Sequence, residues 1–325
     1  MKKVLILFGG NSFEHDVSCM SAKNIIENID KDKYIVTSVG INKNNEWFEY
    51  KGTTENICTW EKECNEKIDN IIEFVNNFDV IFPVLHGANG EDGKLQGMLD
   101  LFGIKYIGCK TLSSALCMDK VFSKYIFTSL GIPQIPFIEI TDNISIKDVI
   151  NKLDFPMIVK PANGGSSIGI NKVNNKHQLK KAILEAKKYD SKVLVEKFIN
   201  ARELECAIIK NKGIKVSEIG EIKSANEFYD YNAKYENDKS YTIIPAELDY
   251  IVEEKIKEYA KKAFTGVNAA GLSRIDFLYD EKNNKIYLNE INTLPGFTTI
   301  SMFPQLFMNC GYEYKEIISI LIENA

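Results

Sequence analysis

Two alternating runs, Ser273-Arg274-Ile275-Asp276-Phe277-Leu278-Tyr279 and Ile286-Tyr287-Leu288-Asn289-Glu290-Ile291-Asn292, flank a polar turn and predict a β-hairpin. Side chains two apart share a face, so Arg274 and Asp276 point together, as do Glu290 and Asn292. With Leu278 opposite Leu288, Asp276 faces Glu290 and Arg274 faces Asn292. Like charges directly opposite one another destabilise a sheet. Two facing carboxylates beside an Asn carbonyl therefore call for a hard cation between them. Oxygen-only ligands favour Mg²⁺, which shares its coordination with substrate phosphates. A solvated hairpin face with incidental charges is the alternative. Pro295-Gly296 follows at once and weighs against it, because Gly lets a backbone N–H approach a ligand closely.

A second segment, Pro156-Met157-Ile158-Val159-Lys160 followed by Pro161-Ala162-Asn163-Gly164-Gly165-Ser166-Ser167-Ile168-Gly169, delivers a lysine at the end of an apolar strand. The Gly/Ser loop after it can aim backbone N–H groups at phosphate oxygens, with Lys160 as a point charge. It is not a P-loop, since G-x-x-x-x-G-K-[ST] is absent. Val193–Ile199 ends in Glu196-Lys197, which either brackets a purine edge or forms a strand-end ion pair. The loop Phe228-Tyr229-Asp230-Tyr231-Asn232-Ala233-Lys234-Tyr235 is either a lid or a packed aromatic loop.

Elements must place these groups. Val4–Phe8, Tyr34–Ile41 and Val80–Leu85 read as strands, with helices at Asp16–Ile29, about 66–77 and 93–102. Alternation of strand and helix implies βαβ units and a parallel sheet. Glu14-His15 and His86-Gly87 then lie just past strand C-terminal ends, where open α/β sheets bind ligands. From 111 the pattern changes to helical stretches over 111–130, strands at 136–140 and 156–160, a helix at 175–189 and a strand at 192–198. Strands follow at 202–209 and 214–220, a polar stretch at 223–242, a helix at 250–265, the hairpin, and helices near 302–309 and 314–323. Three units of about 100 residues, 1–110, 111–200 and 201–325, fit this order. The fold class is α/β, turning to α+β in the last part.

Composition excludes other classes. The 325 residues carry a formal charge of −5 and a pI near 5.5, which argues against a nucleic-acid binder. No apolar run nears the ~20 residues that span a bilayer. Seven scattered cysteines without C-x-x-C read as a reduced, cytoplasmic chain. Among 40 basic residues only Arg202 and Arg274 are arginine. An ordinary structural role suffices for Arg202, whereas Arg274 offers a planar fork of donors on the acidic hairpin.

In this order the segments resemble the D-alanine–D-alanine ligases of the ATP-grasp superfamily. The match includes Gly9-Gly10-Asn11-Ser12-Phe13-Glu14-His15, His86-Gly87-Ala88-Asn89-Gly90-Glu91-Asp92-Gly93 with Gln96-Gly97, Met118-Asp119-Lys120, and the Lys160 segment. It continues through Glu196-Lys197, Tyr229–Tyr235, Arg274-Ile275-Asp276 and Glu290-Ile291-Asn292-Thr293-Leu294-Pro295-Gly296-Phe297-Thr298. The resemblance implies a three-domain ATP-grasp architecture with a Rossmann-like N-terminal domain, and joining of two D-alanines through an acyl phosphate for peptidoglycan synthesis. D-serine as second substrate is the alternative.

By the same resemblance, Lys120, Lys160 and Lys234 would meet the phosphates of ATP. Glu196, Lys197, Ile199 and Glu203 would hold adenine and ribose, with Phe228 packed nearby. Asp276, Glu290 and Asn292 would bind two Mg²⁺, or Mn²⁺ in their place. Glu14 would hold the first ammonium and meet Ser166 and Tyr235, with His86 close by. Arg274 and the Gly296 N–H would face the oxyanion, and Ser301 the second carboxylate. Tyr235 stands where D-lactate-using relatives carry a His-bearing motif, which favours an amine as second substrate. A homodimer is also implied.

Overall fold

The computed structural model describes residues 1–63, 65–223 and 241–325. Phe228, Lys234 and Tyr235 lie outside the described residues. Three sheets carry the described residues.

The first contains β1 (Lys2–Gly9), β2 (Tyr34–Ile41), β3 (Trp47–Tyr50), β4 (Glu66–Lys67) and β5 (Val80–Pro83), in the order β4-β3-β2-β1-β5. β1 is parallel to both β2 and β5, and its Val4–Phe8 run is fully buried. That is the pattern of a central parallel strand covered on both faces. The chain turns in opposite directions from β1 and from β5, and Glu14 and His86 flank the resulting crevice. The expected helix over 66–77 is confined to Ile71–Val75, with β4 before it. β3 and the 3₁₀ helix Thr54–Lys62 were not anticipated. Trp60 from that helix lies against the bare Cα of Gly40, where a Cβ would come within 2.7 Å of its ring.

The central sheet, β6 (Phe137–Ile140), β7 (Met157–Pro161), β8 (Asn171–Val173) and β9 (Val193–Lys197), is antiparallel in the order β6-β9-β7-β8. Helices Ile146–Lys152 and Lys176–Ala186 cover one face, and Met157, Val159, Val193 and Val195 point into that core. Alternation sends Lys160 and Glu196 to the other face.

The helical stretches expected over 111–130 are two helices, Thr111–Met118 and Lys120–Ser129. Asp119 leaves the helical region at φ −83, ψ 102, and its carboxylate accepts from the N–H groups of Val121 (3.0 Å) and Phe122 (3.2 Å). This N-cap starts a new helix at Lys120. Asp119→Ala is expected to lower stability by about 1–2 kcal/mol, seen as a reduced urea midpoint at unchanged slope.

The third sheet, β10 (Arg202–Lys210), β11 (Ile214–Lys223), β12 (Tyr241–Ile243), β13 (Leu272–Asp280) and β14 (Lys285–Asn292), runs β12-β11-β10-β13-β14. Leu204, Cys206, Ile208, Ile275 and Phe277 pack with the helix Tyr250–Gly266. Ala207 and Ile209 pack with the helix Met302–Asn309 and the first sheet. Among the described residues no helix is long and apolar enough to cross a membrane.

The hairpin pairs Asp276 with Glu290 and Arg274 with Asn292, as the alternation predicts. Its outer register differs from expectation, because Leu278 lies opposite Tyr287 and Phe277 opposite Leu288. Asn289 is therefore an extra residue, a bulge. The bulge inverts the parity of β14, so Leu288 joins Phe277 in the core while Glu290 faces the site. An uninterrupted ladder would have put Leu288 on the site face or Glu290 in the core.

Candidate active site

The central and third sheets face each other across a cleft lined by Lys120, Lys160, Glu196, Lys197, Ile199, Glu203, Asp276 and Glu290. Ile135, Ile158, Ile168, Phe198 and Leu278 supply an apolar wall. Six described nucleotide-site candidates and two acidic ones thus converge from residues 170 positions apart. Asn289, the bulged residue, also borders this cleft.

The Glu196 carboxylate takes the ammonium groups of Lys160 and Lys124, each at 2.6 Å. Burial alone pushes a carboxyl up, but the two lysines outweigh it and hold Glu196 down at about 2. Burial pushes the Lys124 ammonium down, against the pull of Glu196. The Glu196 side chain thereby holds Lys160 at the strand end, and Lys124 is fully buried behind Glu196, beneath the cleft lining. Lys120 donates to the Gly164 carbonyl at 2.6 Å and lies 3.8 Å from Glu290. The loop after β7 is strained at Ser166 (φ 50) and Ser167 (φ 58), left-handed conformations that cost a non-glycine residue of order 1 kcal/mol each. The bend leaves Ser166 at the border of the cleft and brings its hydroxyl to the N-terminal domain.

There a second, smaller cavity begins, lined by Glu14, His86, Glu91, Lys120, Ser166, Arg274, Glu290, Asn292 and Gly296. Lys120 and Glu290 line both cavities. Ser166 donates to Glu14 at 2.6 Å. A Cβ at Gly87 would come within 2.7 Å of the Glu14 carboxylate, and one at Gly165 within 3.0 Å, so both glycines make room for it. His15, beside Glu14, turns inward to the Gly10 carbonyl at 2.7 Å.

Arg274 grips Asp276 through Nε and Nη2, both at 2.8 Å, and reaches Glu205 at 2.9 Å. Asn292 donates to the same Asp276 at 2.9 Å. Burial would push the Arg274 guanidinium down, but Asp276 and Glu205 hold it well above its ordinary value. The register places Glu205, Asp276 and Glu290 in one row across β10, β13 and β14. Beyond β14, a Cβ at Gly296 would come within 2.7 Å of the Ser301 hydroxyl, which accepts from the Thr298 N–H at 2.9 Å. His86 borders the cavity with both ring nitrogens engaged, Nδ1 with the Leu294 carbonyl at 3.0 Å and Nε2 with Ser21 at 3.2 Å. Arg202 has the structural role expected of it, bonded to both Glu221 oxygens and to Glu281.

Three residues of this site carry no motif signal strong enough to have been singled out. Lys124 lies one helical turn after Lys120, a spacing that puts both on one helix face. Glu205 lies two after Glu203 and shares its strand face. Glu91 stands inside the quoted HGxxGEDG stretch without a role of its own. Burial and the charge of Glu14 push its carboxyl up to about 8.

Two sheets closing on an elongated cleft, with an acidic hairpin and a paired lysine at its inner end, define a nucleotide-dependent ligase of the ATP-grasp kind. Residues 3–109 match the family described as D-ala D-ala ligase N-terminus, and residues 126–323 match D-ala D-ala ligase C-terminus. A D-alanine--D-alanine ligase of Thermoanaerobacter sp. (strain X514) is 48% identical over 345 residues, covering 100% of this chain and 96% of that one. Among solved structures, the VanG D-Ala:D-Ser ligase of Enterococcus faecalis aligns with a TM-score of 0.90 at 36% identity, covering 99% of this chain and 98% of that one. D-alanyl-alanine synthetase A of Vibrio cholerae aligns with a TM-score of 0.84 at 32% identity and the same coverage. The chain belongs to the D-alanine–D-alanine ligase family.

Proposed function

We propose that this chain joins two molecules of D-alanine, with cleavage of ATP to ADP and phosphate, in the supply of peptidoglycan precursors. The observation that carries the proposal is the shared wall of Lys120 and Glu290 between a nucleotide-sized cleft and a small polar cavity. A phosphoryl group at that wall is within reach of an acid held beside Glu14.

In this reading Lys120 and Lys160 counter the phosphate charge, and Lys197, Ile199 and Glu203 border the adenosine. Glu14 takes the ammonium of the first D-alanine. Its carboxylate attacks the γ-phosphorus, the bond to the departing ADP oxygen breaks, and an acyl phosphate remains. Positioning and charge neutralisation account for most of the catalysis in such a step. The amine of the second D-alanine, with its carboxylate near Ser301, then attacks the acyl carbon. Phosphate leaves and the amine gives up a proton. Arg274 and the Gly296 N–H are the donors assigned to the oxyanion of that step, and exclusion of water from the site would protect the acyl phosphate.

Asp276, Glu290 and Asn292 are the residues that would hold magnesium. Among the described residues no three His, Cys, Asp or Glu side chains are placed to hold a metal ion by themselves, so the Asn292 oxygen and the phosphates would have to complete the set. The donors fit a hard cation, and a positive charge already answers Asp276 from Arg274. When bound, Mg²⁺ supplies charge neutralisation at the β- and γ-phosphates. A cytoplasmic homodimer is proposed from family membership alone.

Phosphate release with ATP, Mg²⁺ and D-alanine, with D-serine or D-lactate offered in competition and products read by mass, tests the reading. D-alanyl-D-alanine as the main product is expected. A dominant D-serine adduct would move the chain to the other specificity, and no phosphate release would end the ligase reading.

A further inference from the structure

The buried polar groups with no role so far lie where the N-terminal domain meets Leu294–Phe297. Glu91 Oε1 accepts from the Leu294 N–H at 3.2 Å, and its Oε2 accepts from the Gly87 N–H at 2.7 Å. The Leu294 carbonyl can only accept, so the 3.0 Å contact with His86 places the ring proton on Nδ1. Nε2 is then an acceptor, and Ser21 donates its hydroxyl proton to it at 3.2 Å. The Ser21 oxygen is left to accept from the Phe297 N–H at 3.1 Å. The Phe297 carbonyl accepts from Asn24 at 2.8 Å and from the Tyr314 hydroxyl at 2.7 Å. One proton assignment satisfies the whole chain with a neutral ring, the form that burial of His86 favours.

We propose that Glu91, His86 and Ser21 form an interdomain clamp that sets the position of Gly296, and that they are positioning residues for the acyl-transfer step. The proposal rests on the ligase reading for its chemistry and on the hydrogen bonds for its geometry. Gly296 lies four residues beyond the end of β14, so no ladder bond of the sheet determines where its N–H points. The peptide groups on either side of Pro295-Gly296 are instead tied to the first helix and to the loop after β5. An oxyanion donor works only within about 2.7–3.1 Å of the developing charge, and a misplacement of about 1 Å can cost on the order of 100-fold. In this arrangement His86 acts through Leu294 and Ser21, not by contact with substrate.

The test uses Glu91→Gln and Ser21→Ala in the full chain. Gln keeps one acceptor and turns an amide NH₂ toward a backbone N–H; Ala removes both bonds of Ser21. Phosphate and dipeptide are measured in parallel, with wild type giving about one phosphate per dipeptide by the stoichiometry of the proposed reaction. Ser21, His86 and Glu91 do not line the nucleotide cleft, and Glu91 adjoins Glu14 only through Gly87 and through charge. Dipeptide kcat is therefore expected to fall about 10- to 100-fold, with KM for ATP within about twofold and several phosphates released per dipeptide. Loss of folded enzyme would lower both rates together and leave the ratio at one, and that outcome overturns the proposal. Amide exchange of residues 293–298, which needs no substrate, is expected to quicken at least about 10-fold in Ser21→Ala. If wild type makes no dipeptide while exchange quickens, the ligase reading fails and the clamp stands. Unchanged exchange removes the clamp whatever the activity.

Discussion

Arg274→Lys is expected to lower dipeptide turnover about 10²- to 10³-fold while ATP binds within about twofold of wild type. The guanidinium spans Asp276 and Glu205 with bonds of 2.8 and 2.9 Å from one planar group. A lysine ammonium is a point charge on a flexible stem and cannot bridge both carboxylates while facing the cavity. Glu205 matters here, because it can keep hold of Arg274 when Asp276 turns to other ligands. Arg274 meets the nucleotide cleft only through Asp276 and Glu205 and does not itself line it, so nucleotide affinity measured by titration should be nearly unaffected. Near-normal turnover in this variant would show that another group stabilises the oxyanion.

Glu196→Ala is expected to cost about 3–5 kcal/mol of folding free energy, since it leaves Lys124 and Lys160 buried without their shared partner. Urea unfolding at pH 7 measures it. The pH dependence has a defined sign. In the fold Glu196 is held at about 2, below the ~4.3 of an unfolded glutamate, so its contribution is fully present above that value. It is lost as pH falls through 2. The gap between wild type and variant should therefore narrow from about pH 5 to pH 2. A gap that is constant over that range would mean that the pairing with lysine is not what the variant removes. ATP affinity is expected to fall with it, because Lys160 is held at the strand end by this carboxylate.

Much of the site was legible because its chemistry follows local rules. Period-two alternation put Arg274 with Asp276 and Glu290 with Asn292, and the pairing across the hairpin came out as read. The outer register differs by one residue from the regular ladder that alternation predicts, and the bulge at Asn289 reconciles it with that pairing. Nothing in a pattern of alternating residues announces a bulge, since both strands look regular taken singly. Elsewhere a cap decided the outcome. Helical stretches over 111–130 are legible, but the point where one ends and the next begins is set by the Asp119 carboxylate bonding forward to Val121 and Phe122.

The sequence by itself determined the family, the acidic hairpin, the strand-end lysine at 160 and the glutamate after β1. These lie in short segments whose residue types and spacing carry the chemistry. Only the tertiary structure decided that Lys124 is buried behind Glu196, that Glu196 spends its carboxylate on two lysines, and that His86 faces Leu294 and Ser21. The reason is physical: one lysine among 40 basic residues has the same local pattern exposed or buried. Its role depends on the desolvation and partners that distant segments impose when the sheets close.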